Sequence, residues 1–552
     1  MKKTLGVSLW QMAALLCTST LFFAAATAQA EQRPTMTSHV PEAVSSGLAP
    51  LVGHLPSAQR LSLAISLPLR NEAELDDLLQ RIYDPQIPSY HQYLSVQEFA
   101  GRFGPAEADY AAVLRFAQAN GLAVIDTAAN RMVVDVEGPA ANIESALHVT
   151  LGVYQHPTEN RTFYAPDREP ALDLDVPLLH ISGLDNFTLP HAKNIRSSQE
   201  KGETGKTSGA GPGGNFIGSD MRAAYYGSGS LTGTGQSVGL FEYAGYELSD
   251  VKNYFTKVKQ PLNVPIHGVS LNGVSLNCPP KTCDDAEQVL DIEMAISMAP
   301  GLSQVVVYVG NSDVSIFNQM AVDNTSKQLS CSWGWSDDEG SLDPIFKEMA
   351  VQGQSVFVAT GDQGSGTAAN VVWPADDPYV TAVGGTDLTT NGPGGSWKSE
   401  TGWSGSAGMP SKNKIPIPHY QKLKGVINSL NHGSKTLRNI PDVAAESNTN
   451  QYSCYDGGCF GGNGGTSYAA PQWAGLTAMA NQQAVAGGGS TLGFLNPRLY
   501  RIGTGSSYDS DFHDITSGSN GQYSAVTGFD LVTGWGSPNG PNLINSLVGS
   551  AR

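Results

Sequence analysis

From residue 236 to residue 361 the chain alternates short apolar runs with longer amphipathic ones, and this limits its possible folds more than any other feature. QSVGLFEY, QVVVYVG, QLSCSW and SVFVATG are apolar or small almost throughout. Between them lie ELSDVKNYFTKV, AEQVLDIEMAISM, VSIFNQMAVDN and PIFKEMAVQG, with apolar residues at helical spacing. A strand apolar on both sides must be covered on both sides, which predicts an α/β fold with a parallel sheet flanked by helices. Such sheets carry their chemistry at the carboxyl ends of the strands. Two candidates stand there: Trp333 after QLSCS and Asp362 after SVFVATG.

Ahead of this region, residues 55–185 predict a smaller α+β unit. Its strands are RLSLAISLPL, MVVDVEG and RTFYAPD. Its helices are NEAELDDLLQRIYD, SVQEFAGRFG, PAEADYAAVLRFAQANG (closed by Gly121) and PAANIESALHVTLG. The order fits a split βαβ, ferredoxin-like module. Residues 190–215, rich in Gly, Ser, Lys and Thr and without aromatics until Phe216, read as an exposed linker open to proteolysis. The predicted boundaries are 1–30 for a leader, 31–190 for the small domain, 191–214 for the linker and 215–552 for the large domain.

The leader has Lys2 and Lys3, an apolar stretch, and Ala28-Gln29-Ala30 at its end, the layout of a cleaved secretory signal. No later apolar run is long enough to span a bilayer, so no membrane association is expected once the signal is removed. In an exported chain the close pairs Cys278/Cys283 and Cys454/Cys459 read as disulfides, leaving Cys331 free. A metal site at either pair is disfavoured, because no histidine falls at ligand spacing. With 32 Lys+Arg against 50 Asp+Glu, a net charge of −18, the chain lacks the basic surface a nucleic-acid partner requires.

GGTSYAAPQWAG (464–475) puts Ser467 after two glycines, at the start of an apolar helix with Pro471 in its first turns. There a hydroxyl stands beside unpaired backbone N–H groups that can serve as oxyanion donors; a plain helix cap is the alternative. A serine nucleophile needs a base, normally histidine. None of His267, His419, His432 and His513 lies in a motif that supplies one. Glu287 and Asp291, four apart on one helical face among apolar neighbours, offer a carboxylate base instead. The alternative is an acidic first turn favoured by the helix dipole. Asp362 follows an apolar strand, where an unpaired charge is costly.

Five ordered motifs together resemble the sedolisins, secreted serine-carboxyl peptidases. They are ExxxD at Glu287/Asp291, TGDxG at Asp362, GGTSxxxP at Ser467, WPADDPYVTAVGGT at 373–386, and FHDITSGSNG…TGFDLVTGWGSPNG near the C-terminus. The resemblance runs from about residue 55 to the end. It implies a subtilisin-like fold, with Ser467 as nucleophile, Glu287 as base and Asp291 orienting Glu287. Asp362, kept protonated, would share the oxyanion with the Ser467 N–H, and Glu242 and Trp333 would extend the hydrogen-bond network. A calcium ion (Ca2+) is implied at Asp514 and Asp530, with the carbonyls of Ile515, Val526 and Gly528, all oxygen ligands suited to a hard cation. Protein or peptide substrates and a monomer are also implied. The small domain resembles an activation domain that blocks the cleft until the linker is cut in acid, protonation of interface carboxylates weakening the block. Two other readings stay open: a serine hydrolase using His419 or His513, and a catalytically inactive secreted binding module.

Overall fold

The computed structural model describes residues 38–196, 209–335, 340–366 and 372–549; the leader at 1–30 lies outside them. Residues 36–552 form one compact unit. Its main sheet has eight strands. Across it run Ile266–Ser270, Gln304–Val309, Ser237–Glu242, Gln328–Cys331, Ser355–Ala359 and Thr381–Thr390, all parallel. Thr381–Thr390 also pairs in parallel with Val443–Glu446 and antiparallel with Trp397–Gly402. The four apolar runs of the sequence are thus the adjacent inner strands. Ser355–Ala359 is buried at every residue, which is why it carries no charge.

Helix Ala286–Met298 matches the predicted segment and is buried at all 13 positions. It packs against helix Ala469–Ala486 and the hairpin Gln451–Asn463. The two helices cross closely at Gly475, where a Cβ would lie 2.9 Å from Met298 Cβ and 3.1 Å from the Ala295 carbonyl. Carboxylates on so enclosed a helix need partners within the protein. Both predicted disulfides form, and Cys331 is free and buried. Among the described residues no helix is long and apolar enough to cross a membrane.

The small domain has an antiparallel sheet in the order Ala123–Thr127, Val133–Pro139, Arg60–Ser66, His180–Ser182, the strand order of a split βαβ module. A second sheet joins Leu51–His54, Leu151–Gln155 and Thr162–Pro166. The helix expected over 139–152 therefore ends early, at Leu147. His148 is left-handed (φ 54°), and the residues from Leu151 turn into strand. One side of the domain keeps its own core of Leu63, Ile65, Val134 and Ile143. From the other side Leu75, Leu79, Phe99 and Phe103 join the core of the large domain. The Tyr83 hydroxyl pins this contact, donating to the Ala350 carbonyl (2.6 Å) and accepting from Phe494 N–H (2.8 Å).

Candidate active site

Three buried carboxyls form a row under the carboxyl ends of the strands. Glu242 closes strand Ser237–Glu242, and Asp291 and Glu287 are one turn apart on helix Ala286–Met298. Trp333 Nε1 donates to Glu242 Oε2 (2.9 Å) and Ser332 Oγ to Asp291 Oδ1 (2.8 Å). Glu242 and Asp291 act on each other's ionisation. Glu242 Oε1, Asp291 Oδ2 and Glu287 Oε1 are buried and meet no donor among the described residues, which favours the protonated carboxyl. Burial first, and then the neighbouring acid, pushes all three well above the ordinary carboxylate range.

Ser467 stands beside Glu287, in the single tight turn Thr466–Tyr468 that opens helix Ala469–Ala486. The turn requires Gly465, whose φ is 122°. Thr466 ties the turn to the neighbouring strand end. Its N–H and Oγ1 both donate to Asp362 Oδ1 (2.8 and 3.0 Å), while its Oγ1 accepts from Gly361 N–H (2.9 Å). Asp362 is pushed up to about 7, by burial against the opposing Thr466 hydrogen bonds and the Lys193 charge. All six residues expected at the catalytic centre are thus within one cluster.

The beginning of the linker is a paired strand rather than a free loop, contrary to expectation, with Lys193 buried and His191 and Arg196 exposed at its ends. His191–Ala192 pairs antiparallel with Trp333–Gly334, and Lys193 N–H donates to the Ser332 carbonyl (2.9 Å). Ile195 exchanges both backbone hydrogen bonds with Gly464 (2.7 and 2.9 Å). Between them the Ser467 N–H donates to the Lys193 carbonyl at 3.0 Å. A Cβ on Gly465 would lie 2.5 Å from that carbonyl oxygen and 2.7 Å from Asp362 Oδ2, so both oxygens border the small space the glycine leaves. Asn194 Nδ2 donates to Glu287 Oε2 (2.5 Å). The chain's own segment 191–195 therefore lies across the cluster as an extended peptide. The Gly/Ser-rich composition that suggested a linker begins only at Ser197, and residues 197–208 lie outside the described set.

No histidine is a hydrogen-bond partner of Ser467 or Glu287 among the described residues. His419 is exposed, and His513 stacks on Trp397 at 4.0 Å between ring centres. The residues expected to bind calcium are also close together. Gly528 N–H donates to Asp514 (3.1 Å to Oδ1), and Val526 N–H donates to Asp530 Oδ2 (3.0 Å). Asp530 is fully buried and pushed up to about 7 by that burial. Among the described residues, neither carboxylate has a Lys, Arg or His ion-pair partner, and no group of three or more His, Cys, Asp or Glu is placed to hold a metal. Both carboxylates are instead held by donors: Asp514 by the Tyr508 hydroxyl and Gly528 N–H, and Asp530 by the N–H groups of Val526, Val532 and Thr533.

A parallel sheet with a serine at a helix entrance beside its strand ends, covered by an N-terminal domain whose tail fills the cleft, defines the precursor of a subtilisin-fold serine peptidase. Residues 49–187 match the pro-kumamolisin activation domain and residues 273–492 the subtilase family. The chain is 30% identical to kumamolisin of Bacillus sp. (strain MN-32), over 94% of this chain and 97% of that one. It is 28% identical to sedolisin of Pseudomonas sp. (strain 101), over 89% and 87%. A solved structure of Pseudomonas sedolisin, a serine-carboxyl proteinase complexed with two molecules of pseudo-iodotyrostatin, aligns with a TM-score of 0.51 at 27% identity, covering 62% of this chain and 98% of that one. The chain belongs to the sedolisin–kumamolisin family of serine-carboxyl peptidases and carries its activation domain.

Proposed function

We propose that this is a secreted, acid-acting peptidase precursor that hydrolyses peptide bonds through an acyl-enzyme on Ser467. Glu287 takes the Ser467 proton as Oγ attacks the carbonyl carbon, then delivers it to the leaving amine. Asp291 orients Glu287, and Glu242, held by Trp333, orients Asp291. Protonated Asp362 and the Ser467 N–H stabilise the oxyanion. The observation that carries this reading is the Lys193 carbonyl: it lies on the Ser467 N–H at 3.0 Å and borders the same space as Asp362 Oδ2.

The pH dependence follows from two ionisations. The carboxyl row titrates as a unit. Its first proton must leave to give a base, and the donors Trp333, Ser332 and Asn194 favour that charge. Asp362 must keep its proton, which it loses as pH rises through about 7. Activity is therefore bell-shaped and lies on the acid side of neutrality.

The activation domain acts as an intramolecular inhibitor because its tail fills the cleft. At the docked interface acid has opposing effects: protonating Asp76 breaks its ion pair with Lys347 (3.3 Å), while two other carboxyls respond the other way. Asp135, which accepts from Ser315, is pushed up to about 6 by burial, and Glu348, which accepts from Asn130, to about 8. A carboxyl raised in the docked state binds protons there, so at these two positions protonation favours docking. Separation then follows cleavage of the chain. Asp514, Asp530 and the carbonyls of Ile515, Val526 and Gly528 would hold calcium, which neutralises buried charge and fixes the C-terminal loop. The test is the precursor at about pH 4 and about pH 7 beside Ser467→Ala and Glu287→Gln, read by intact mass and peptide hydrolysis. Maturation and hydrolysis in acid alone, absent from both variants, are expected. Turnover by Glu287→Gln within a few-fold of the parent overturns the reading.

A further inference from the structure

We propose that the pocket holding the Lys193 side chain is the primary specificity pocket, that Gly334 and the carbonyls of Ala359 and Thr360 make it select a basic residue before the cleaved bond, and that the first bond it cuts is Lys193–Asn194 of its own linker. This rests on the serine-peptidase reading above and adds the substrate class.

The backbone of segment 191–195 fixes the register. With the Lys193 carbonyl on the Ser467 N–H, the bond presented to Ser467 Oγ is the one from Lys193 to Asn194. Attack forms the Ser467–Lys193 ester and breaks that amide, and the Ser467 proton passes through Glu287 to the Asn194 nitrogen. Water then hydrolyses the ester, leaving a Lys193 carboxylate and free Ser467. The side chain before the bond is that of Lys193, and it is buried: the residue is 4% exposed. Its ammonium donates to the carbonyls of Ala359 (3.2 Å) and Thr360 (3.4 Å), at the end of the strand that leads to Asp362.

Two features fit this pocket to a long cation. Gly334 forms a wall, and a Cβ there would lie 2.2 Å from Lys193 Cε and 2.3 Å from Nζ, with the Trp373 carbonyl 2.9 Å behind. The Ala359 and Thr360 carbonyls at the pocket's end accept hydrogen bonds and offer none. Burial lowers the Lys193 ammonium to about 8, so it stays charged in acid. An apolar side chain in the same place would leave the two carbonyls without donors, and an acidic one would set acceptors against acceptors. The linker is also rich in what the pocket takes: Lys193, Arg196, Lys201 and Lys206.

The test has two arms. The full-length precursor is brought to about pH 4, and the first large fragment is identified by intact mass and N-terminal sequencing; Asn194 is the expected new N-terminus. The matured enzyme is then given a peptide series differing only at the residue before the cleaved bond. Lys and Arg peptides should exceed Leu and Glu peptides in kcat/KM by about tenfold or more, and Gly334→Ala, whose Cβ enters the space of Lys193 Cε, should lower the Lys-to-Leu ratio several-fold. A first cut elsewhere, or Leu peptides cleaved as fast as Lys peptides, overturns the inference. If Gly334→Ala does not fold, the unaltered enzyme on the peptide series decides alone. Failure here is separable from failure of the mechanism. An enzyme silenced by Ser467→Ala that prefers apolar residues keeps the mechanism and loses this pocket assignment; activity surviving Ser467→Ala does the reverse.

Discussion

Asp362→Ala should lower kcat by about 10²–10³, the cost of removing one oxyanion donor, equivalent to about 3–4 kcal/mol. Asp362 Oδ1 is taken up by the two Thr466 donors, so Oδ2 is the oxygen free to donate when the acid is protonated. It also borders the space occupied by the Lys193 carbonyl oxygen. The alanine variant further leaves the Thr466 N–H without an acceptor, at about 1–3 kcal/mol of stability. Asp362→Asn separates the two effects. Its carbonyl still accepts from Thr466, and its amide donates at every pH. The parent carboxyl, raised to about 7, is protonated below that value and loses its donor above it. The Asn variant should therefore recover most of the stability, part of kcat, and an alkaline limb moved above that of the parent. The assay is kcat against pH, with melting temperatures of the same proteins. An Asp362→Ala enzyme within about threefold of the parent, or an Asn enzyme with an unmoved alkaline limb, would refute the assignment of Asp362 as an oxyanion donor.

Gly465→Ala would place a methyl 2.5 Å from the Lys193 carbonyl at a φ of 122°. It should reduce turnover by more than about 100-fold and stop self-processing, read by mass after acid incubation. Stability should fall as pH rises. Glu348 (about 8) and the carboxyl row have folded values above their unfolded ones. Their contribution is fully present below the ordinary carboxylate range and is lost as pH climbs through 7–8. Calorimetry of the Ser467→Ala precursor should give a higher Tm at about pH 4.5 than at about pH 8; the opposite trend contradicts the burial-driven directions. A chelator should lower the Tm of the same protein by a few degrees, reversed by calcium and abolished in Asp530→Asn; no shift would remove the proposed ion.

Much of this molecule was legible because its chemistry sits where local patterns are strongest. Apolar runs without charge identified the inner strands, and the absence of a usable histidine beside GGTS directed attention to Glu287 and Asp291. The helix that carries them was legible too, but its burial at all 13 positions was not, because Glu287, Asp291 and Glu293 read as polar positions. The strand from Leu151 was absorbed into the preceding helix, since ALHVTLG contains no proline or early glycine to mark the stop. The left-handed His148 that ends it has a side chain that only moderately favours that conformation. The peptide in the cleft had no local signal at all. HAKNI resembles any other short polar–apolar segment, and only pairing with Gly464 and Trp333–Gly334, far along the chain, makes it a strand. Its burial was equally hidden, because a lysine is ordinarily a surface residue.

The central claim is that a carboxylate does the work usually given to histidine. It is tested most directly by active-site titration and the kcat/KM–pH profile of matured enzyme, beside Glu287→Gln matured in trans by the parent. The expected result is an acid-side bell for the parent and a loss of at least about 10³ in Glu287→Gln at every pH, with the fold intact. Activity that rises toward neutrality, or a Glu287→Gln enzyme that turns over within a few-fold of the parent, would contradict it.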